Sequence, residues 1–364
     1  MRRHTALGAL RNRGVSAALC AAALFGAGTP VAKVLLGTVD PWLLGGLLYA
    51  GSGVSLTAIR IARGLPTVRL GKRDLATLLG VIGAGGIAGP VLLMYGLSSM
   101  PSSGASLLLN AEGVFTALLA WFVFRENYDS RIVLGMAAIV AGAAALTWTP
   151  GATLGQSRAA VLVLGACFAW AIDNNLTRKL ATHDSMWLAS IKGLVAGAVN
   201  LLIATAAGRS WPSIATLSAA LGLGAVAYGA SLTLFVVALR HLGAARTGAY
   251  FSTAPFLGAV IALIWLGEQF TLALGVAAAL MGLGVWLHLS ERHSHDHAHP
   301  AIEHDHEHLH DEHHAHGHEP PVPVGLRHSH RHTHEAMVHS HHHFPDADHQ
   351  HEHEEMAHQD AAHG

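Results

Sequence analysis

Shifted against itself by 142 positions, the sequence superposes Glu126 on Glu268, Gly113 on Pro255, Leu97 on Leu239 and Gly80 on Gly222 without a gap. A chain that repeats itself over this length is expected to fold as two related units. The clearest copies are the apolar stretches Ser102 to Glu126 and Ala244 to Glu268, each reading as one helix that closes on a Glu. Similar shifts carry Gly135 onto Gly275, Gly142 onto Gly282 and Phe25-Gly26 onto Trp170-Ala171. The halves so defined run over 15–148 and 158–289, with a short N-terminus at 1–14, a linker at 149–157 and a tail from 290 to 364.

Each half is too apolar to be a water-soluble domain. A bilayer core needs about 20 apolar residues per helix, and only structures that satisfy their own backbone groups survive there. Ten such runs are legible, at 15–36, 42–61, 75–97, 103–124, 131–148, 159–177, 186–206, 214–239, 245–266 and 271–289. The alternating pattern of a membrane β-barrel is absent. The fold class expected is an all-α integral membrane protein of ten transmembrane helices, in two five-helix repeats, with a disordered tail. The first run continues too far for a cleaved signal and reads as an uncleaved helix. Cys20 and Cys167 lie inside apolar runs, where no disulfide framework or zinc knuckle can be assembled.

Charge supplies the orientation, because short loops rich in Lys and Arg stay cytoplasmic. Alternate connections carry Arg2, Arg3, Arg11 and Arg13; Arg60, Arg63, Arg69, Lys72 and Arg73; Arg125 and Arg131; Arg178 and Lys179; Arg240 and Arg246; and Arg292. The opposite connections carry only Arg158 and Arg209. Both termini are thus expected in the cytoplasm of a bacterial cell, with the spans in its inner membrane. Five spans per half make the second half enter from the opposite side, an inverted repeat. The third and eighth runs are dense in small residues, GVIGAGGIAGP from Gly80 and GLGAVAYGA from Gly222. Helices of this kind approach closely, and Pro90 is expected to loosen the third. Interrupted helices in matching halves point to a midplane site in transporters.

With these features the chain resembles the drug/metabolite transporter superfamily, specifically the ten-helix proteins with two EamA-type domains. The resemblance rests on the duplicated five-helix unit, on FGAGTPVAK from Phe25 to Lys33 in the first helix, and on the RE and GE closing the fourth and ninth helices at Glu126 and Glu268. It implies secondary transport of small solutes through a cavity between the halves, without a required cofactor, and does not name the solute. It also implies Glu-Pro at the position of Glu112-Gly113, where this chain keeps the acid and loses the proline.

Polar groups at membrane depth are the candidate site. Glu112 lies roughly 14 Å from the end of its run at helical rise, where a carboxyl is costly unless it faces a cavity, finds a partner or stays protonated. It reads either as a substrate-binding or coupling group, helped by Asn110, or as a neutral carboxyl bonded to a neighbouring helix. Asp173 and Lys192, at similar depth on adjacent runs, read as a structural ion pair. Asn174 and Asn175, which match Thr29 and Pro30 of the first half, are expected to line the cavity. Lys33 near the outer end of the first helix either snorkels or, as the first-helix Lys of the resembled family, draws anionic solutes to the outer mouth.

The tail is of another kind. From Glu291 it holds 15 of the 23 acidic residues and three Arg, against a basic body, and it holds 25 of the 29 histidines. A shift of 35 pairs His293 with His328, His295 with His330, His297 with His332, His299 with His334, His304 with His339, His306 with His341 and His308 with His343, then His314, His316 and His318 with His349, His351 and His353. Neutral imidazole suits nickel, zinc, cobalt or copper, and the interleaved Asp and Glu add charge and oxygen ligands. Low apolar content is expected to leave the segment disordered without metal.

Three functions follow: a transporter of small organic solutes, a transporter of transition-metal ions whose tail buffers or senses metal, and a membrane-tethered metal sensor. No span carries metal ligands at helical spacing, and a sensor needs no duplicated body. No nucleophile–base pair or phosphate loop points to an enzyme. The scattered basic residues face a membrane surface and exclude nucleic acid as a partner; the bilayer and a small solute or metal ion remain, and a homodimer is left open.

Overall fold

The computed structural model describes residues 13–66, 68, 70–124, 130–147, 154–180, 183–242 and 244–289, and in the tail 293–299, 302–308, 328–334 and 337–343. Up to Glu291 the chain forms one compact unit. Among the described residues nine helices are long and apolar enough to cross a membrane, and a tenth apolar helix, Leu272–Leu287, is shorter. In chain order the spans are Arg13–Leu35, Pro41–Ala62, Lys72–Ser98, Ser102–Val123, Ser130–Thr147, Ser157–Arg178, Ser185–Ala206, Ile214–Leu239, Thr247–Trp265 and the tenth.

Four spans are not continuous α-helices: the third and eighth, whose small-residue runs pointed to interruption, and the fourth and ninth, expected to be single helices. The third changes to a π-helix over Ile82–Ala88 and the eighth over Gly224–Ala230, positions separated by the same 142 residues as the repeat. The loosening therefore lies ahead of Pro90, which sits near the start of the next α-helical segment. The fourth span breaks between Ser102–Leu108 and Ala111–Phe124, and the ninth between Ala244–Phe251 and Ala254–Trp265, again at matching places. Neither is the single helix expected. At the first break Asn110 folds its amide back to donate to the Leu107 carbonyl at 2.9 Å, an alternative to helical bonding that short amide side chains offer. At the second, Pro255 stands in the first turn of the new segment, where a missing N–H is harmless.

The halves meet through glycine. The second span lies against the seventh and eighth so closely that a Cβ at Gly53 would strike the Leu194 backbone, one at Gly197 would lie 2.6 Å from Ala50 N, and one at Gly224 would strike the Leu48 carbonyl. Lipid gives no hydrophobic drive to helix association, so such backbone approach is what holds these spans together. Replacing Gly53 by Ile should force the second and seventh spans apart and cost more than the roughly 1–3 kcal/mol of ordinary overpacking. A fluorescence thermal shift of detergent-purified protein would read it; a melting temperature unchanged from the parent would refute the close approach.

The tail is a separate unit from Arg292 onward. Its described segments are four strands, β1 (His293–His299), β2 (Ile302–His308), β3 (His328–His334) and β4 (Met337–His343). β1 pairs antiparallel with β4 and β2 with β3. An alternating sequence can satisfy its backbone groups by pairing with its own second copy.

Candidate functional site

A cavity of about 560 Å³ reaches both helix breaks, bounded by Leu109, Asn110, Glu112 and Gly113 at that of the fourth span and by Ser252, Ala254 and Pro255 at that of the ninth. Six aromatic side chains line it, Phe25, Tyr49, Trp170, Tyr228, Phe235 and Phe251. They pack on one another, with Phe25 at 5.7 Å from Tyr228 and 5.3 Å from Phe251 between ring centroids. Irregular backbone is tolerated at membrane depth where it lines a cavity or is buried in protein, and π-helical turns concentrate at functional sites. Here the π-helical turn of the third span presents the Gly85 carbonyl to two side chains. The Tyr49 hydroxyl donates to it at 2.7 Å and the Trp170 indole N–H at 2.9 Å.

The polar groups are few and convergent. Asn174 donates its amide to Glu112 Oε1 at 2.8 Å, joining the fourth span of the first half to the sixth span of the second. Lys192 Nζ lies 2.7 Å from Asp173 Oδ2, and Thr177 donates to the other carboxylate oxygen at 3.0 Å. Asp173 is only 3% exposed, yet it and Lys192 both reach the cavity wall. The site thus holds one carboxyl with a neutral partner and one ion pair, beside an aromatic surface. Such a surface accepts the apolar part of a small molecule, while the charged groups orient its polar end.

Two sequence candidates lie elsewhere. Asn175, one residue from Asn174 and so about 100° round the helix, is buried and donates to the Thr116 and Ala171 carbonyls; it does not line the cavity. Lys33 Nζ donates to the carbonyls of Leu97, Ser98 and Met100 at 2.7, 3.2 and 3.0 Å. It closes the end of the third span instead of standing free at a mouth. Tyr49, Trp170 and Tyr228 were not among the sequence candidates. The signal for Trp170 was available, since a polar-tipped aromatic aligns with Phe25 of the first half at mid-helix.

Near Lys33 a second tie crosses between halves. The ninth span ends at Trp265, Gly267 takes φ of 66° and turns the chain, and Glu268 then accepts from the backbone N–H of Ser102 at 2.7 Å and of Ser103 at 2.8 Å. A carboxylate there satisfies two of the orphan donors that open the fourth span. Ser102 and Ser103 are 0% and 2% exposed and do not line the cavity, whose residues Ala189, Lys192, Phe235 and Gly248 lie toward the opposite end of their spans. Replacing Glu268 by Ala should unseat the start of the fourth span and expose it. In a cysteine-free background (C20S/C167A), S103C should react with a water-soluble maleimide at least tenfold faster when Glu268→Ala is added, a change worth about 1.4 kcal/mol. Equal rates would show that Glu268 does not hold this end shut. The corresponding Glu126 of the first half lies outside the described residues, as do His314, His316, His318, His349, His351 and His353 of the tail.

Comparison with known proteins now defines the class. The model of the EamA-like transporter family matches residues 12–148 and again 157–290, and the chain belongs to that family. An uncharacterized transporter of Methanothermobacter thermautotrophicus is 29% identical over 287 residues, 74% of this chain and 84% of its own length. A protein of Streptantibioticus cattleyicolor named a probable terminal-alkyne amino-acid exporter is 26% identical, over 63% of this chain and 78% of its own. A probable amino-acid metabolite efflux pump of Salmonella typhimurium is 34% identical over 88 residues, 23% of this chain and 29% of its own. A solved crystal structure shares the fold, with a TM-score of 0.58 and 20% identity over 76% of this chain and 96% of that one. The protein is a multi-pass membrane transporter.

Proposed function

We propose that this transporter moves small zwitterionic metabolites of amino-acid type that carry an apolar or aromatic side chain, by exposing the cavity alternately to the two sides of the membrane. The observation that carries this reading is the pairing of Glu112 and the Asp173–Lys192 ion pair with six aromatic side chains in one cavity of small-molecule size. An ammonium group matches Glu112, a carboxylate matches Lys192, and an apolar side chain matches Phe25, Tyr228 and Phe251. Two relatives named for amino-acid export agree with that chemistry. Against metal-ion transport, no group of three or more His, Cys, Asp or Glu that could hold a metal occurs among the described residues. The Lys and Arg count of the loops supports both termini being cytoplasmic, and the two relatives named for export support export as the direction.

Counterflow in reconstituted vesicles tests the reading. Vesicles loaded with unlabelled phenylalanine or leucine should accumulate the labelled amino acid, and loading with a sugar or a dicarboxylate should give none. Exchange of a sugar or dicarboxylate without amino-acid exchange would reject the proposed substrate class.

A further inference from the structure

Five residues with a hydroxyl line the cavity, and three of them spend it on backbone carbonyls. Tyr49 donates to Gly85 at 2.7 Å, Ser231 to Ala21 at 2.9 Å and Ser252 to Ala249 at 2.8 Å. The hydroxyls of Ser52 and Tyr228 bond to no other group among the described residues. Ser52 is only 8% exposed, and a buried hydroxyl is costly unless it finds a partner. A solute in the cavity can be that partner.

The two free hydroxyls belong to one stretch of wall, built by the second, seventh and eighth spans. The rings of Tyr49 and Tyr228 lie 5.9 Å apart between centroids, and Ser52 follows Tyr49 by three positions on its helix, which puts the two on one face. A Cβ on Gly229, next to Tyr228, would lie 3.8 Å from the Ser52 carbonyl oxygen, and one on Gly193, next to Lys192, would lie 2.7 Å from Gly53 Cα. Lys192 thus joins the same wall, while Glu112 and its partner Asn174 come from the fourth and sixth spans. We propose that Ser52 and Tyr228 complete, with Lys192, a subsite for the carboxylate of the solute, whose ammonium sits at Glu112. A carboxylate accepts through about four lone-pair sites, more than a lysine already engaged with Asp173 at 2.7 Å can fill. Two hydroxyl donors beside it make up the set. Tyr228 then serves twice, its ring against the apolar part of the solute and its hydroxyl on the polar end. The subsite rests on the reading of the cavity as one for zwitterions.

Calorimetric titration of the full-length protein in detergent with three ligands tests it: phenylalanine; 3-phenylpropionate, which keeps the carboxylate and lacks the amine; and phenethylamine, which does the reverse. Tyr228→Phe and Ser52→Ala should each melt with the parent, because neither hydroxyl holds another part of the protein. Tyr49→Phe should melt lower, since it takes one of two donors from the Gly85 carbonyl. Tyr228→Phe combined with Ser52→Ala should weaken phenylalanine and 3-phenylpropionate at least about tenfold, the scale of losing hydrogen bonds to a charged group, and phenethylamine by less than about threefold. Equal losses for all three ligands, or no loss for any, would overturn the subsite. If the parent binds 3-phenylpropionate and not phenylalanine, the zwitterionic reading fails, and the loss measured with 3-phenylpropionate alone decides the subsite. A parent that binds neither carboxylate overturns both.

Discussion

Lys192→Met is expected to destabilise the protein by about 3–5 kcal/mol, the usual penalty for leaving a buried charge without its partner. Asp173 is nearly fully buried, its carboxylate is held by Lys192 at 2.7 Å and Thr177 at 3.0 Å, and the π-helical turn at Gly85 presses against it. Among the described residues, no other positively charged group bonds to Asp173 to replace Lys192. Removing both charges together should behave differently. In Asp173→Asn with Lys192→Met, an amide takes the place of the carboxylate, and most of the lost stability should return, as it does when buried pairs are replaced as a unit. Thermal melts of the single and double variants in detergent measure this directly. If the double variant is no more stable than Lys192→Met alone, the ion pair is not what holds this wall. Transport separates structure from binding, because a double variant restored in stability should still fail with substrates that carry a carboxylate.

Much of this architecture was legible before any coordinates. The 142-residue repeat, the ten apolar runs and the membrane depth of Glu112, Asp173 and Lys192 all follow from hydropathy and spacing, which report burial in lipid. What hydropathy does not report is the hydrogen-bonding pattern inside an apolar run. Ile82–Ala88 and Ala111–Phe124 are equally apolar whether the chain is wound as α, wound as π or broken, so the kind of interruption could not be read, although the small-residue runs of the third and eighth spans marked the neighbourhood of two. Rotation about a helix axis was equally hidden. Asn174 and Asn175 are neighbours in sequence, and only the packing of the sixth span on the fourth decides which one meets Glu112. Ties between distant residues were hidden for a related reason. Glu268 was prominent as a helix-closing acid, but its partners, Ser102 and Ser103, are some 166 positions away and engage through backbone N–H groups that every residue type carries. In the tail, alternation was visible but its register was not, because a repeat of period two pairs equally well in many offsets until the chain folds back.

Glu112→Gln is the substitution that should affect transport most while affecting the fold least. Gln has nearly the volume of Glu and keeps an amide oxygen to accept from Asn174, so the tie between the fourth and sixth spans persists and stability should change by no more than about 0.5 kcal/mol. What is lost is the negative charge facing the cavity. Truncating one partner of a buried charged contact costs about 2–5 kcal/mol of binding, so the apparent affinity for a substrate ammonium should fall at least about 30-fold. The discriminating measurement uses two substrates in one preparation of reconstituted vesicles, an apolar amino acid and its analogue with hydrogen in place of the amino group. The amino acid makes the ammonium contact and should lose affinity. The analogue lacks it and should bind Glu112→Gln as well as it binds the parent. Equal losses for both would mean that Glu112 supports the helix break at Leu109–Asn110 and not the solute. Equal affinity of the amino acid for variant and parent would remove Glu112 from the binding site altogether.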